Sequence, residues 1–182
     1  FNKVDKKMLE ELEGIVGRSN LIADKEMMHD FSHDEFALSE FSRYPDVVVK
    51  PKTEKEVSEI LRLANRDKIP VTPRGGATGI CGGCVPIYGG IVLSLENMNS
   101  IIEVDTANQM AVVEPGVTLT EFYSAVEESG LFFPPHPGDE SAMIGGLIAC
   151  NAGGARAVRR QAGPRCGDRE RGLRRDRCGR RG

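Results

Sequence analysis

Between Asp5 and Val16 the apolar residues Met8, Leu9, Leu12, Ile15 and Val16 recur at helical spacing, and Gly17 follows as a stop signal. A second, short helical segment spans Asp24 to Phe31, after which the chain to Pro45 has no clean period and reads as an irregular connection. Asp46 to Lys50 carries three valines in a row, which suits a buried strand. Thr53 and Glu56 then form a capping box that opens a helix, with Val57, Ile60, Leu61 and Ala64 on one face. That helix stops near Asp67, because Ile69 to Thr72 reads as another strand. Strand, helix and strand in so short a span make a βαβ unit, and hence some parallel sheet.

From Pro73 to Gly90 the pattern gives way to a stretch dense in glycine, P-R-G-G-A-T-G-I-C-G-G-C-V-P-I-Y-G-G. Such a loop is costly in conformational entropy and needs a reason. Beyond it Ile91–Leu95, Ser100–Asp105 and Met110–Gly116 predict three strands in a meander, with turns at Glu96–Asn99 and Thr106–Gln109. A second capping box, Thr118 with Glu121, starts a helix that buries Leu119, Phe122 and Val126 and ends at Gly130. From Leu131 to Gly154 prolines and glycines interrupt short apolar runs, which predicts extended loops and a second ligand-facing surface.

Composition sharpens this outline in three ways. With 182 residues and 40% apolar content, the chain has material for one compact domain with an appendage. The start of the chain is charged and amphipathic, unlike a signal peptide, and no run approaches the roughly 18 apolar residues of a membrane span, so a soluble, cytoplasmic protein is expected. Charge is uneven: residues 1–154 carry 13 basic and 24 acidic side chains, residues 155–182 carry 11 arginines and 3 acidic groups. The five cysteines have no regular spacing and read as reduced thiols. Cys81-Gly-Gly-Cys84 has the spacing of a redox or metal pair, but it lies in a glycine-rich stretch and is read as an incidental pair of small residues. His29 and His33, flanked by Asp30 and Asp34, lack a third ligand and read as surface or packing residues.

Backbone N–H groups bared by a glycine turn form a concave anion site, so the loop from Arg74 to Gly79 is a candidate cradle for phosphate, with a hydroxyl from Thr78 and a charge from Arg74. There is no G-x-G-x-x-G and no lysine of a P-loop, so a Rossmann site and a nucleotide-triphosphate P-loop are both rejected. No helical period follows the loop either, which leaves backbone amides as the main donors. The loop leaves the carboxyl end of a predicted parallel strand, where ligands of α/β sheets bind.

Six ordered motifs now carry a resemblance: P-D-V-V-V-K-P, P-R-G-G-A-T-G, G-G-I-V-L-S-L-E-N-M-N, V-E-P-G-V, P-P-H-P-G-D-E-S-A-M-I-G-G and N-A-G-G-A-R-A-V. In this order they resemble flavoproteins of the vanillyl-alcohol oxidase superfamily, in the branch of the flavin-binding glycolate oxidase chain and the FAD-linked D-lactate dehydrogenases, over roughly residues 20 to 158. The resemblance implies an α+β, PCMH-type FAD-binding fold of two α/β subdomains with non-covalent FAD between them. It implies cofactor contacts from Pro73, Arg74, Gly75, Gly76, Ala77, Thr78, Gly79 and Ile80 around the pyrophosphate. Pro137, Ser141, Ile144, Gly145 and Gly146 match the stretch along the flavin, and Asn151, Gly153 and Gly154 the next contact strand and turn. Where the family more often has G-A-G-T-G this chain has G-G-A-T-G, so alanine and glycine have changed places at 76 and 77. His136 is not expected to attach the flavin covalently.

The expected organisation is an N-terminal helical segment (1–45), an incomplete FAD-binding domain (46–157) and an arginine-rich tail (158–182). In the family a cap domain that binds the hydroxyacid follows, and the tail replaces it here, with Val158 and Leu173 as its only large aliphatics after Ala157. Two readings of the tail stand: a basic arm for nucleic acid or anionic membrane, or, preferred, the product of a reading-frame change in a GC-rich gene near Val158. The expected function is the FAD-binding portion of an oxidoreductase that oxidises a small 2-hydroxyacid of the glycolate or D-lactate type by hydride transfer to flavin, inactive as this fragment. Its expected partners are the hydroxyacid and an electron-acceptor subunit, with no nucleic acid and no membrane span. The alternative is a non-catalytic binding protein acting through the tail. No catalytic residue and no metal site is assigned.

Overall fold

A computed structural model describes residues 1–36, 40–135 and 137–154; the arginine-rich tail and His136 lie outside the described residues. The chain divides into two compact units, Phe1–Met98 and Asn99–Gly182.

In the first unit, helix α1 (Lys6–Val16) starts where the Asp5 carboxylate accepts the Met8 N–H at 2.8 Å, and ends at Gly17 with φ 79°. Strand β1 (Leu21–Ile22) pairs antiparallel with β2 (Val47–Val49), and β2, β3 (Val71–Arg74) and β4 (Ile91–Ser94) run parallel in the order β1-β2-β4-β3. The expected βαβ unit is therefore present, but its two strands are not neighbours; β4 lies between them.

The three valines of β2 are fully buried because the sheet is covered on both faces. Val47 and Val49 join Ile91 and Leu93 in a core with Met8, Leu12 and Val16 of α1 and Ile60, Leu63 and Ala64 of helix α2 (Glu54–Asp67). Val48 and Val92 face the other way, onto Met28 in a 3₁₀ turn at Glu26–Phe31. The short helical segment expected at Asp24–Phe31 is this tighter turn. Helix α1 thus shares the core of the sheet with the strands that follow.

Two details of α2 differ from expectation. Thr53 Oγ1 accepts the Glu56 N–H at 3.2 Å, but the Glu56 carboxylate takes the N–H of Lys52, at 2.7 Å, so the box closes one residue upstream. Leu61 is 45% exposed, and Leu63 takes its place in the core. At 3.6 residues per turn the two leucines flank the Ile60–Ala64 stripe at equal angles of about 80°. The apolar pattern alone does not separate them; packing against α1 does.

The expected meander is overturned. Its first strand, β4, is the central strand of the parallel sheet, and only β5 (Ile101–Asp105) and β6 (Met110–Val113) form an antiparallel pair in a separate two-stranded sheet. The reason is visible in burial: Ile91–Ser94 is buried at every position, whereas β5 and β6 are half-covered. Gly90 makes the entry of β4 possible. Its φ is 71°, its carbonyl accepts from Asp46 N and Val47 N, and a Cβ there would lie 2.3 Å from Pro70 O.

In the second unit helix α3 (Leu119–Glu128) has the complete capping box expected, with Thr118 Oγ1 accepting the Glu121 N–H and the Glu121 carboxylate accepting the Thr118 N–H. Leu119, Phe122 and Val126 pack with Val117, Leu131, Phe133, Ile144 and Leu147, and the Phe122 and Phe133 rings meet edge to face at 4.9 Å. The segment expected to hold extended loops also contains a helix, α4 (Ile144–Ala149). Ile144, Leu147 and Ile148 keep helical spacing through the two glycines, and burial of Ile144 and Leu147 in this core outweighs glycine's poor helix propensity.

Candidate cofactor site

The glycine loop begins where β3 ends, at the carboxyl edge of the parallel sheet. Pro73 is exposed within β3, and Arg74, its last residue, is buried. The Arg74 guanidinium donates to the carbonyls of His33, at 2.7 Å, and Asp30, approaches Cys84 Sγ at 3.4 Å, and stands 5.4 Å from the centroid of the Phe31 ring. Burial pulls it below its ordinary pKa, against the opposing charges of Cys84, Asp30, Asp34 and Glu96. Its side chain thus ties the loop's base to residues 30–34.

The segment that follows is held from outside by a connection that has no clean period in the sequence. Glu35 N–H donates to the carbonyls of Ala77, at 3.0 Å, and Gly79, at 3.1 Å. The Asp34 carboxylate accepts the Gly82 N–H at 2.7 Å. Asp34 and Glu35 are residues that sequence reasoning missed as loop anchors, because nothing in a linear pattern links them to a loop more than forty positions away. With two of its carbonyls engaged, the loop leaves its donors over: among the described residues the amides of Gly75, Gly76, Ala77, Thr78 and Gly79 donate to none, and the Thr78 hydroxyl has no partner. Ala77 is in the left-handed region at φ 58°, where its glycine–alanine exchange with Gly76 carries a cost. Ile80 closes the series with its side chain 65% exposed.

The other expected contacts belong to the second unit. Pro137 is half-buried, and Ser141 donates both N–H and hydroxyl to the Asp139 carboxylate, at 2.8 and 2.7 Å, which lowers the Asp139 pKa. Ile144 is a core residue at the start of α4 and Gly145 packs on Pro115, where a Cβ would lie 2.6 Å from Pro115 Cβ. Gly146 is different: it is exposed, its φ is not positive, and a Cβ would meet nothing within 4 Å. Asn151, at φ 49°, closes α4, and Gly153 and Gly154 follow in irregular backbone. The contact strand expected here is absent among the described residues, since the chain has only just left a helix.

These features fit a bound phosphodiester cofactor. A row of amides without acceptors among the described residues suits an anion, and a side chain at Gly79 or Gly146 would meet no atom of this chain within 4 Å, a property they share with Gly14, Gly83 and Gly138. His29 and His33 lie against one another and against Ser32 and Tyr44. Their rings meet at 5.2 Å with a tilt of 56°, His29 Nδ1 lies 3.1 Å from Tyr44 Oη and His33 Nδ1 3.2 Å from Ser32 Oγ.

Comparison with known proteins agrees with the geometry. Residues 45–165 match the family model described as FAD binding domain. The chain is 42% identical over 159 residues to a D-lactate dehydrogenase of Anaerostipes hadrus, covering 87% of this chain and 33% of that protein. It is 54% identical over 113 residues to a D-lactate dehydrogenase of Archaeoglobus fulgidus (62% and 25% covered), and 36% identical over 157 to glycolate oxidase subunit GlcD of Bacillus subtilis (86% and 33%). The chain thus spans about a third of the length of the curated relatives it matches. Among solved structures, alkyldihydroxyacetonephosphate synthase superposes with a TM-score of 0.78 at 20% identity (88% of this chain, 34% of that one). Berberine bridge enzyme superposes with 0.71 at 21% (86% and 33%). The matched span contains every candidate contact from Pro73 to Gly154, and the chain belongs to the FAD binding domain family, in the PCMH-type flavoprotein fold.

Proposed function

We propose that this chain is the cofactor-holding portion of an FAD-linked dehydrogenase of small 2-hydroxyacids, with glycolate or D-lactate as the type of substrate, and that the complete enzyme passes the electrons to a separate acceptor subunit. The observation that carries the reading is the run of five consecutive amides, Gly75 to Gly79, left without described acceptors while Glu35 holds two of the intervening carbonyls. The names of the relatives, D-lactate dehydrogenase and glycolate oxidase, support the substrate class.

In this reading the amides of residues 75–79 and the Thr78 hydroxyl receive the pyrophosphate, and Pro137, Ser141 and Gly146 line the flavin. The chemistry that FAD supplies is acceptance of a hydride from the hydroxyacid α-carbon. The chain's own part is to neutralise the pyrophosphate with oriented dipoles and to keep side chains out of the cofactor's path at Gly79 and Gly146. No described residue is assigned as the base for the substrate hydroxyl.

The test is titration of the purified chain with FAD, followed by quenching of flavin fluorescence, beside Thr78→Val and Gly79→Ala. Saturable binding that both variants weaken about tenfold or more, with unchanged far-ultraviolet circular dichroism, is the expected result. Binding that both leave untouched would overturn the placement of the pyrophosphate, and no binding by the parent chain would overturn the claim that this portion holds the cofactor.

A further inference from the structure

The C-x-x-C pair gains a second observation from the fold. Cys81 is exposed and Cys84 half-buried, and both are reduced thiols. Gly82 between them has φ 74°, its N–H is fixed by the Asp34 carboxylate, and its carbonyl accepts the Val85 N–H at 3.1 Å, so the two cysteines sit on either side of an anchored turn. Cys84 Sγ lies 3.4 Å from the Arg74 guanidinium, which is itself buried and held in place by the carbonyls of Asp30 and His33. A fixed cation in a poorly solvated setting, in contact with one thiol of such a pair, is the environment that produces a reactive cysteine. The acidic side chains around Arg74 are Asp30, Asp34 and Glu96; of these, Asp34 is engaged with the N–H groups of Gly82 and Phe36, and Glu96 with Lys50 and Ser94.

We propose that Cys81 and Cys84 form an oxidant-sensitive dithiol, with Cys84 as the thiol that reacts first and Cys81 as the one that resolves it, the oxidant being a hydroperoxide. The Cys84 thiolate attacks a peroxide oxygen; an S–O bond forms, the O–O bond breaks, and the leaving hydroxide takes a proton to become water. The Cys81 thiolate then attacks the sulfur of the Cys84 sulfenic acid; the S–S bond forms, the S–O bond breaks, and a second water leaves. Two thiols and hydrogen peroxide give one disulfide and two waters, with two electrons passing from sulfur to oxygen.

The test treats the chain with hydrogen peroxide and maps the peptide of residues 60–96, released by cleavage after glutamate, which contains no other cysteine. The expected product is that peptide lighter by two hydrogens and restored by dithiothreitol. In Cys81→Ser the expected product is a sulfenic acid trapped by dimedone at Cys84, and in Cys84→Ser the yield of sulfenic acid at Cys81 falls at least about fivefold. Alkylation by iodoacetamide at pH 7 should be faster at Cys84 than at the more exposed Cys81, with a pH midpoint below the ordinary thiol value of about 8.5. Slower alkylation of Cys84 than of Cys81, or stepwise oxidation of both to sulfinic acids without a disulfide, would overturn the inference. Neither readout depends on FAD.

Discussion

Alanine at Gly146 and alanine at Gly145, adjacent on α4, should have opposite effects. Both replace a helical glycine, and in a helix that exchange contributes roughly 0.5–1 kcal/mol to stability. At Gly146 nothing opposes the gain, because the new methyl group has no neighbour within 4 Å. At Gly145 it would lie 2.6 Å from Pro115 Cβ and 3.0 Å from Pro115 O. Carbon atoms pack at about 3.5–4.0 Å, so α4 must back away by about 1 Å. That movement strains the core under Ile144 and Leu147, at about 1–3 kcal/mol for overpacking. It also loosens the 2.9 Å bond from Gly145 N–H to Pro115 O, worth about 1 kcal/mol. The expected net effects are a gain of about 0.5–1 kcal/mol for Gly146→Ala and a loss of about 1–3 kcal/mol for Gly145→Ala, read by urea unfolding with far-ultraviolet circular dichroism. FAD titration supplies the second axis. Gly146→Ala should weaken FAD at least about tenfold, some 1.4 kcal/mol, while making the protein more stable. Equal stability changes in the two variants would refute the packing argument, and a more stable Gly146→Ala that binds FAD unchanged would refute the role given to the open space.

Ala77→Gly relieves a left-handed alanine at the expense of a looser unfolded chain, and the balance should favour the folded state by about 0.5–1 kcal/mol in the same unfolding assay. Leu63→Ala should cost about 2–4 kcal/mol and Leu61→Ala less than about 0.5, since only Leu63 is in the core; equal losses would mean that α2 is rotated from the orientation seen here. The Glu121 carboxylate is held below its ordinary pKa by the Thr118 hydroxyl and then by the Thr118 N–H. A folded-state pKa below the unfolded value means stability present above about pH 4.3 and lost as pH falls through the folded pKa. The stability gap between the parent chain and Glu121→Ala, on the order of 0.5–1 kcal/mol at pH 7 for a cap, should therefore close toward pH 3, as followed by thermal melts across that range. A gap unchanged between pH 7 and pH 3 would put the effect in helix propensity instead of the capping carboxylate.

Where local rules decide the outcome, the sequence was legible. Asp5 and Gly17 bound α1, Thr118 and Glu121 close a full capping box, and Val47–Val49 read as a strand covered on both sides because three adjacent β-branched residues leave no polar face. It was not legible where partners distant in sequence decide. β4 satisfies the same local criteria as β5 and β6, and its place between β2 and β3 depends on Gly90 fitting under Pro70. Leu61 and Leu63 are equivalent by helical angle, and α1 chooses between them. Arg74 reads in the sequence as a phosphate ligand because its charge is visible there, whereas the carbonyls of Asp30 and His33 that receive it are not.

The glycines make the same point in a form that bears on function. In the linear sequence Gly79, Gly90, Gly145 and Gly146 are indistinguishable, each a small residue in a glycine-rich motif. In the fold they separate. Gly90 and Gly145 are required by atoms of this chain, Pro70 and Pro115, so alanine at either should destabilise the protein whether or not a ligand binds. Gly79 and Gly146 have ordinary backbone angles and open space. Folding does not account for them, and a side chain would project only into solvent or into whatever lies against that surface. The resemblance to flavoproteins made cofactor contacts of Gly79, Gly145 and Gly146 alike, but in the fold Gly145 is already required by Pro115, whereas Gly79 and Gly146 are required by no neighbouring atom. The separation between stability and FAD affinity in variants of these four residues is therefore a sharper test of the site than the loss of binding in any one of them.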